Sequence, residues 1–474
     1  MPACRDAWRD VAPCTCLLLQ PHCMLIQSAK KRRADAQDMD TSDLISVVLN
    51  TFTGERLATV SVDHSALGHE LVLKAKALRG GTFITLVHGT VAVHENVPVG
   101  EQLRDGAELH LVSSQVDEAA KQRVAAAVLA GQHPGDEWQV WECVDCLELD
   151  SLPGVPLPGS LQNITFGSRF NQSLENVTLP SSLQSITFGD SFDQSLDNVS
   201  LPSALQSLTF GGSFNQSLDN VMLPSAVQNL TFGIRFDQSL ERTTWPSALQ
   251  SLKFGCCFNQ SLDNVALPPT LQSLAFGLAF DQSLVNTALP SALRNLAFGD
   301  IFNQSLDNVT LPSTLQSLTF GRCFNQCLDN VAWPSALQNL TLGLKFNQSL
   351  DNVVLPSALT TLRFGRCFDR CMDNVFLPSA LQNLRFGDFF NQSLVNVTLP
   401  SELRSLAFGK CFNQSLVDVT LPSALQSLTF GGCFNQNLDH VALPSSLQIL
   451  TLGRGFNQSM DNVVLPESCV LRKL

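Results

Sequence analysis

The hydrophobic and polar positions of this chain repeat every 22 residues, without insertion or deletion, in fourteen copies from Leu157 to Leu465. The unit reads LPSALQSLTFGxxFNQSLDNVx, and its proline recurs from Pro158 to Pro466. Columns are counted here from the Leu before that proline. Columns 5, 8 and 10 (Leu161, Ile164 and Phe166 in the first copy) are apolar in every copy. The segment Q-S/N-L-T-F alternates with period two. It predicts a short strand with Leu and Phe inward and Ser/Asn and Thr outward. Column 11 is Gly and column 14 is Phe in all fourteen copies. Gly there predicts a sharp turn at the end of the strand. Columns 18, 21 and 1 are mostly Leu, Val and Leu, so every side of the unit sends apolar groups inward. A fixed period of this length is the signature of a solenoid, in which neighbouring rungs bury each other's faces. Fourteen rungs at a spacing of about 4.8 Å predict a rod of about 65–70 Å.

Column 15 is polar amid this apolar set, with ten Asn and four Asp (Asp193, Asp237, Asp281 and Asp369). A buried polar residue needs partners, so the column predicts a ladder bonding the backbone of its own turn and of the next rung. The pattern resembles the asparagine ladder of leucine-rich repeats. It is most similar to FNIP repeats, a leucine-rich-repeat relative named for Phe-Asn-x-Pro. Here that motif is FNQS, with Ser in place of Pro. The resemblance implies a right-handed parallel solenoid, no enzymatic activity and a protein-binding role. The FNQS tetrapeptides are also formal glycosylation sequons, but an Asn inside the rung leaves no room for a glycan.

Residues 44–112 precede the repeats. An alternating strand (Leu44–Thr51), a turn at Thr53-Gly54 and a second strand ending near Val62 come first. A helical stretch from about Ser65 to Arg79 and strands at Thr82–His88 and Glu108–Val112 follow. This ββαββ order predicts a small α+β β-grasp domain. NTFTGE, LKAKAL, LVHG and LRDGAELHLV resemble the corresponding parts of ubiquitin. The chain departs from that family at Ala58-Thr59, which reads as a one-residue bulge, and no Gly-Gly tail follows Val112. The domain is therefore not a conjugated tag. The resemblance maps an apolar docking patch onto Phe52, Leu86, His110 and Val112, against the plainer reading that these pack on the following helix. Residues 113–156 are expected to be a helical linker and N-terminal cap, with Trp138 and Trp141 covering the first rung. Residues 157–474 are the solenoid. Residues 1–43 are expected to be a disordered leader. Its run CLLLQPHCMLI, broken by Pro21 and His22, makes a poor signal peptide and is too short to span a bilayer.

Net charge is −13. Residues 157–465 hold 14 Lys/Arg against 20 Asp/Glu, and residues 1–156 hold 13 against 21. Neither part carries the basic footprint of a nucleic-acid binder. No membrane contact is expected. The chain has fifteen Cys, most of them expected to be free thiols in a reducing cytoplasm. Cys143 and Cys146 form a lone CxxC, and the pairs Cys323/Cys327 and Cys367/Cys371 lie two rungs apart, too far to share a metal. Cys411 and Cys433 share a column in adjacent rungs. No cofactor is expected. The eight His share no column with a nucleophile or ligand set, and no phosphate-binding Gly motif appears.

Two binding readings remain, against the alternative of a purely structural repeat protein. Column 19 is Asp or Glu in eleven copies. This stripe offers a divalent cation few oxygens per site, so a solvated face is the favoured reading. The stronger candidate is the departure from consensus in copies ten and eleven, which introduces Arg363, Arg366, Arg370 and Arg385. Arg363 and Arg385 share column 9. Stacked like charges disfavour folding, so the pair points to an acidic or phosphorylated protein segment as partner. Neutral drift, with Arg366 paired to Asp388, is the competing explanation.

Overall fold

The computed structural model describes the backbone of residues 44–51, 56–63, 85–88, 91–92 and 108–112, and residues 118–133, 140 and 144–473. Contact density divides the chain into two units, residues 1–113 and 114–474.

The first unit contains β1 (Leu44–Thr51), β2 (Arg56–Asp63), β3 (Thr85–His88), β4 (Val91–Ala92) and β5 (Glu108–Val112). They form one sheet in the order β2-β1-β5-β3-β4. β1 and β2 are antiparallel, while β1 and β5 are parallel. The register of β1 and β2 shifts where Leu49 opposes Ala58 and Asn50 opposes Arg56. The extra residue is thus Leu57, one position before the bulge expected at Ala58-Thr59. The expected helix at Ser65–Arg79 lies outside the described residues.

The second unit opens with α1 (Glu118–Leu129) and β6 (Cys146–Leu149). Fourteen strands β7–β20, one per copy from Asn163–Phe166 to Ile449–Leu452, and a last strand β21 (Val470–Lys473) follow. β6 to β21 make a single sixteen-stranded parallel sheet in sequence order. Pairing is in register, column on column, as where Leu230 opposes Leu252 and Leu252 opposes Leu274. Within the rung, two-residue turns fall at columns 3–4, 12–13 and 19–20, so each rung has three sides. The strand occupies the first side, and the Phe-Asn motif the second. The Val-x-Leu-Pro stretch makes the third, in place of the back helix of longer leucine-rich repeats.

Five large apolar side chains per rung fill the triangle. In the fifth copy Leu249, Leu252, Phe254, Phe258 and Leu262 are each at most 1% exposed. Full burial of such side chains stabilises by about 1.5–3 kcal/mol each, and most of that burial is supplied by the rungs above and below. The two Phe columns stack along the solenoid. Phe254 and Phe258 lie 3.9 Å apart within a rung, and Phe258 and Phe280 lie 6.1 Å apart between rungs, with rings nearly parallel. Leu342 interrupts the column-10 stack.

Three sets of polar contacts lock the rungs together. Where the strand begins, Gln228 O accepts the N–H groups of both Gln250 and Ser251, at 2.8 and 2.9 Å. At the first corner after the strand, Cys257 N–H donates to Ile234 O at 2.8 Å. On the second side the work passes to side chains. Asn215 Oδ1 accepts the N–H of Asp237 at 2.9 Å, and Asp237 Oδ1 accepts the N–H of Asn259 at 2.9 Å. Thirteen such links run unbroken from Asn171 to Asn457. The column-16 Gln reinforces them, as Gln260 Nε2 does on Asp237 Oδ1 at 3.0 Å. The expected ladder is present, but it bonds the next rung and its residues are half-buried inside the solenoid, exposed only at its two ends.

The reason for the glycine column differs from the one the sequence suggests. None of these glycines has a positive φ. A Cβ on Gly277 would instead overlap the carbonyl of Gly255 in the preceding rung, and most of the column repeats that relation. Close approach of rung to rung, rather than turn conformation, excludes a side chain. The third corner is where left-handed backbone occurs. Asn176, Asn198, Asn264 and Asn308 of column 20 have φ of 60–65°, a region Asn tolerates better than other side-chain-bearing residues.

The start of the sheet is covered. Val124 and Val128 of α1 are 1% and 2% exposed and belong to the same core as Leu147, Leu149 and Leu161. Lys121 Nζ meets Asp145 Oδ2 at 3.4 Å. Trp138 and Trp141, expected to cover this end, lie outside the described residues.

Candidate functional site

The strand face of the solenoid is built from columns 7 and 9, which alternate with the buried Leu of column 8. Most rungs present Ser, Asn, Thr or Ala there. At rungs ten and eleven β16 (Thr361–Arg363) and β17 (Asn383–Arg385) set Arg363 directly opposite Arg385. Both side chains are exposed, and neither has an ion-pair partner among the described residues.

The other two arginines are held by the fold. Arg366 sits on the first corner, three residues after Arg363. Its Nε lies 3.5 Å from Asp388 Oδ2, and its guanidinium lies 5.1 Å from the centre of the Phe389 ring. Lys410 of the following rung reaches the same Asp388 oxygen at 3.9 Å. This three-rung chain of column-12 charges is half-exposed, so each pair adds little stability. Arg370 is on the second side, where Gln stands in the other copies. Its Nε donates to Asn347 O at 2.8 Å, as Gln348 Nε2 does to Asn325 O at 2.9 Å. The structure therefore joins Arg363 to Arg385 and places Arg366 at their margin. Arg370 lies round the corner in a ladder position. Sequence reading missed Lys410, although its spacing of 22 from Asp388 was a visible signal.

The acidic column 19 falls on the third corner. The column-17 Ser before it accepts the column-19 N–H, as Ser305 Oγ does from Asp307 at 3.0 Å. The S-L-D-N wording is therefore the chemistry of a turn. Among the described residues no three His, Cys, Asp or Glu come together as a metal group.

In the first unit Phe52 lies outside the described residues. The register of β3 and β5 pairs Leu86 with Leu111, Val87 with His110, and Thr85 with Val112. Leu86 and His110 thus take alternate phases of the two strands. Cys323, Cys327, Cys367 and Cys371 are free thiols. Cys411 is half-buried, with Cys433 one rung on in the same column. Burial, then the neighbouring Cys433 and Asp388, push the Cys411 thiol above its usual range. No helix among the described residues is long and apolar enough to cross a membrane.

In-register parallel strands, one short rung per strand, a buried Leu/Phe core and a side-chain amide ladder define a solenoid of the leucine-rich-repeat type. The chain belongs to the FNIP repeat family, whose model matches eight times between residues 149 and 470, including 346–389, where the four arginines lie. It is similar to the crystal structure of CroV588, a novel circular leucine-rich-repeat protein. That match has 38% identity and a TM-score of 0.60, and covers 70% of this chain and 53% of the other. The chain thus spans about half the length of that protein. An internalin from Listeria monocytogenes matches at 13% identity and a TM-score of 0.43, over 65% of this chain and 94% of that one. No curated protein sequence matches.

Proposed function

We propose that this protein is a non-enzymatic, cytoplasmic scaffold whose solenoid binds an acidic or phosphorylated protein segment across rungs ten and eleven. One observation carries this reading. Arg363 and Arg385 are stacked in register, exposed and without an ion-pair partner among the described residues, on a face where most rungs present Ser, Asn, Thr or Ala. Two adjacent guanidinium groups repel each other, and nothing in the rung relieves that repulsion. A carboxylate or phosphate lying between them would, because each guanidinium can bind it in a bidentate way. Arg366 and Arg370 continue the basic path over the corner onto the second side.

A link to ubiquitin-type signalling belongs to the same proposal. The strand order β2-β1-β5-β3-β4, with β1 and β5 parallel, supports a β-grasp reading of the first unit. Its docking residues are expected among Phe52, Leu86, His110 and Val112.

The test uses the full chain and its Arg363→Thr/Arg385→Thr variant, immobilised and exposed to native lysate at rising salt. The wild type should retain partners at low salt and lose them as salt screens the contact. The variant should retain far less, with a melting temperature unchanged or slightly raised. A variant that keeps every partner of the wild type places the site elsewhere.

A further inference from the structure

Column 13, on the corner after the strand, holds five cysteines in the fourteen copies: Cys257, Cys323, Cys367, Cys411 and Cys433. The first three have Ala279, Lys345 and Phe389 above them in the next rung. Only Cys411 has a second cysteine there. The backbone puts the two in equivalent places, since Cys411 N–H donates to Asp388 O at 2.7 Å and Cys433 N–H to Lys410 O at 2.8 Å. Next to this corner the column-14 rings Phe412 and Phe434 of the same two rungs lie 6.1 Å apart, a spacing within the roughly 4.4–6.8 Å between Cα atoms that a disulfide spans. Cys433 is among the side chains that act on the Cys411 thiol, and both are free cysteines on the surface side of the rung, Cys411 half-buried and Cys433 exposed.

We propose that Cys411 and Cys433 are a redox modification site, closed to a cross-rung disulfide by a small disulfide oxidant of the glutathione type. Cys433, the more exposed, meets the oxidant first. Its thiolate attacks one sulfur of the oxidant, the oxidant's S–S bond breaks, and one thiol leaves. The Cys411 thiol then loses its proton to solvent and attacks Cys433 Sγ in the mixed disulfide. The second oxidant thiol leaves with that sulfur's electron pair. Two protein thiols are oxidised and one oxidant disulfide is reduced to two thiols. The bond is a local staple between rungs twelve and thirteen.

The experiment uses the full chain, fully reduced and then treated with oxidised glutathione. The protein is quenched in acid, alkylated under denaturing conditions and cut with trypsin. Cys411 and Cys433 fall on one tryptic peptide, residues 411–454, and are its only cysteines. The expected product is that peptide lighter by two hydrogens and carrying no alkyl group. Reduction before alkylation should restore an alkyl group on each cysteine. The Cys433→Ser variant, at an exposed corner, should fold normally and never give the lighter peptide. Recovery of the wild-type peptide with both cysteines alkylated overturns the proposal, and so does recovery with both carrying glutathione.

Discussion

The side-chain oxygen of Asn303 accepts the backbone N–H of Asn325 at 2.8 Å, one rung further along. The backbone carbonyl of Asn303 also accepts Gln326 Nε2 at 2.8 Å. The second side of the solenoid has no strand, so this amide does there what the sheet does on the first side. Asn303→Ala leaves the half-buried Asn325 N–H without its acceptor, a loss of about 1–3 kcal/mol. Ser305→Ala removes only a local turn bond to Asp307 and should cost less. Thermal unfolding of the two variants checks this, and equal shifts would show that the ladder contributes nothing beyond the turn.

The glycine column gives a sharper contrast. Gly277→Ala forces a Cβ into the Gly255 carbonyl, so the two rungs must separate. Overpacking against backbone of this kind should cost about 3 kcal/mol or more. Gly432→Ala, where a Cβ meets nothing within 4 Å, should be close to neutral. Denaturant midpoints of the two variants that coincide would remove the close-approach explanation.

Arg370 stands where its neighbours carry Gln and makes the same bond. Arg370→Gln should therefore keep stability within about 0.5 kcal/mol of the wild type. In the capture assay it should weaken binding much less than the Arg363/Arg385 double variant. A loss as large as that of the double variant would move the centre of the site round the corner.

Val87 opposes His110 in the first unit, and Val112 opposes Thr85. His110 and Val112 therefore share one phase of the strands with Val87, and Leu86 takes the other, so the proposed docking face is assigned to the first phase. His110→Ala with Val112→Ala should abolish capture of a ubiquitin-system partner while leaving the circular dichroism of the unit unchanged. Leu86→Ala alone should leave capture intact. The reverse result would restore Leu86 to the face.

Much of the solenoid was legible in the sequence because each column answers to one physical demand. The burial of Leu252, Phe254 and Phe258 follows from their periodicity alone. The amide ladder was legible too, because a polar residue fixed among apolar ones must have partners. Other features depend on distances between rungs, which no single copy displays. Gly277 looks like a turn residue until Gly255 is seen beside it. Asp263 reads as one residue of a solvated acidic stripe, and only its N–H on Ser261 Oγ, at 3.0 Å, shows the turn it belongs to. The four arginines look like one cluster on a linear chain, and only the three-sided rung separates Arg370 from Arg363.

The ladder has the same acceptor on its upper face and the same donor on its lower face at every rung. Any copy can therefore sit on any other. Whole units can be duplicated or lost in the gene without disturbing the joints on either side, provided the period of 22 is kept. Length is then free to drift, and position along the stack has no meaning except where a copy is marked. Arg363 below Arg385, and Cys411 below Cys433, are such marks: they give an otherwise uniform column an address.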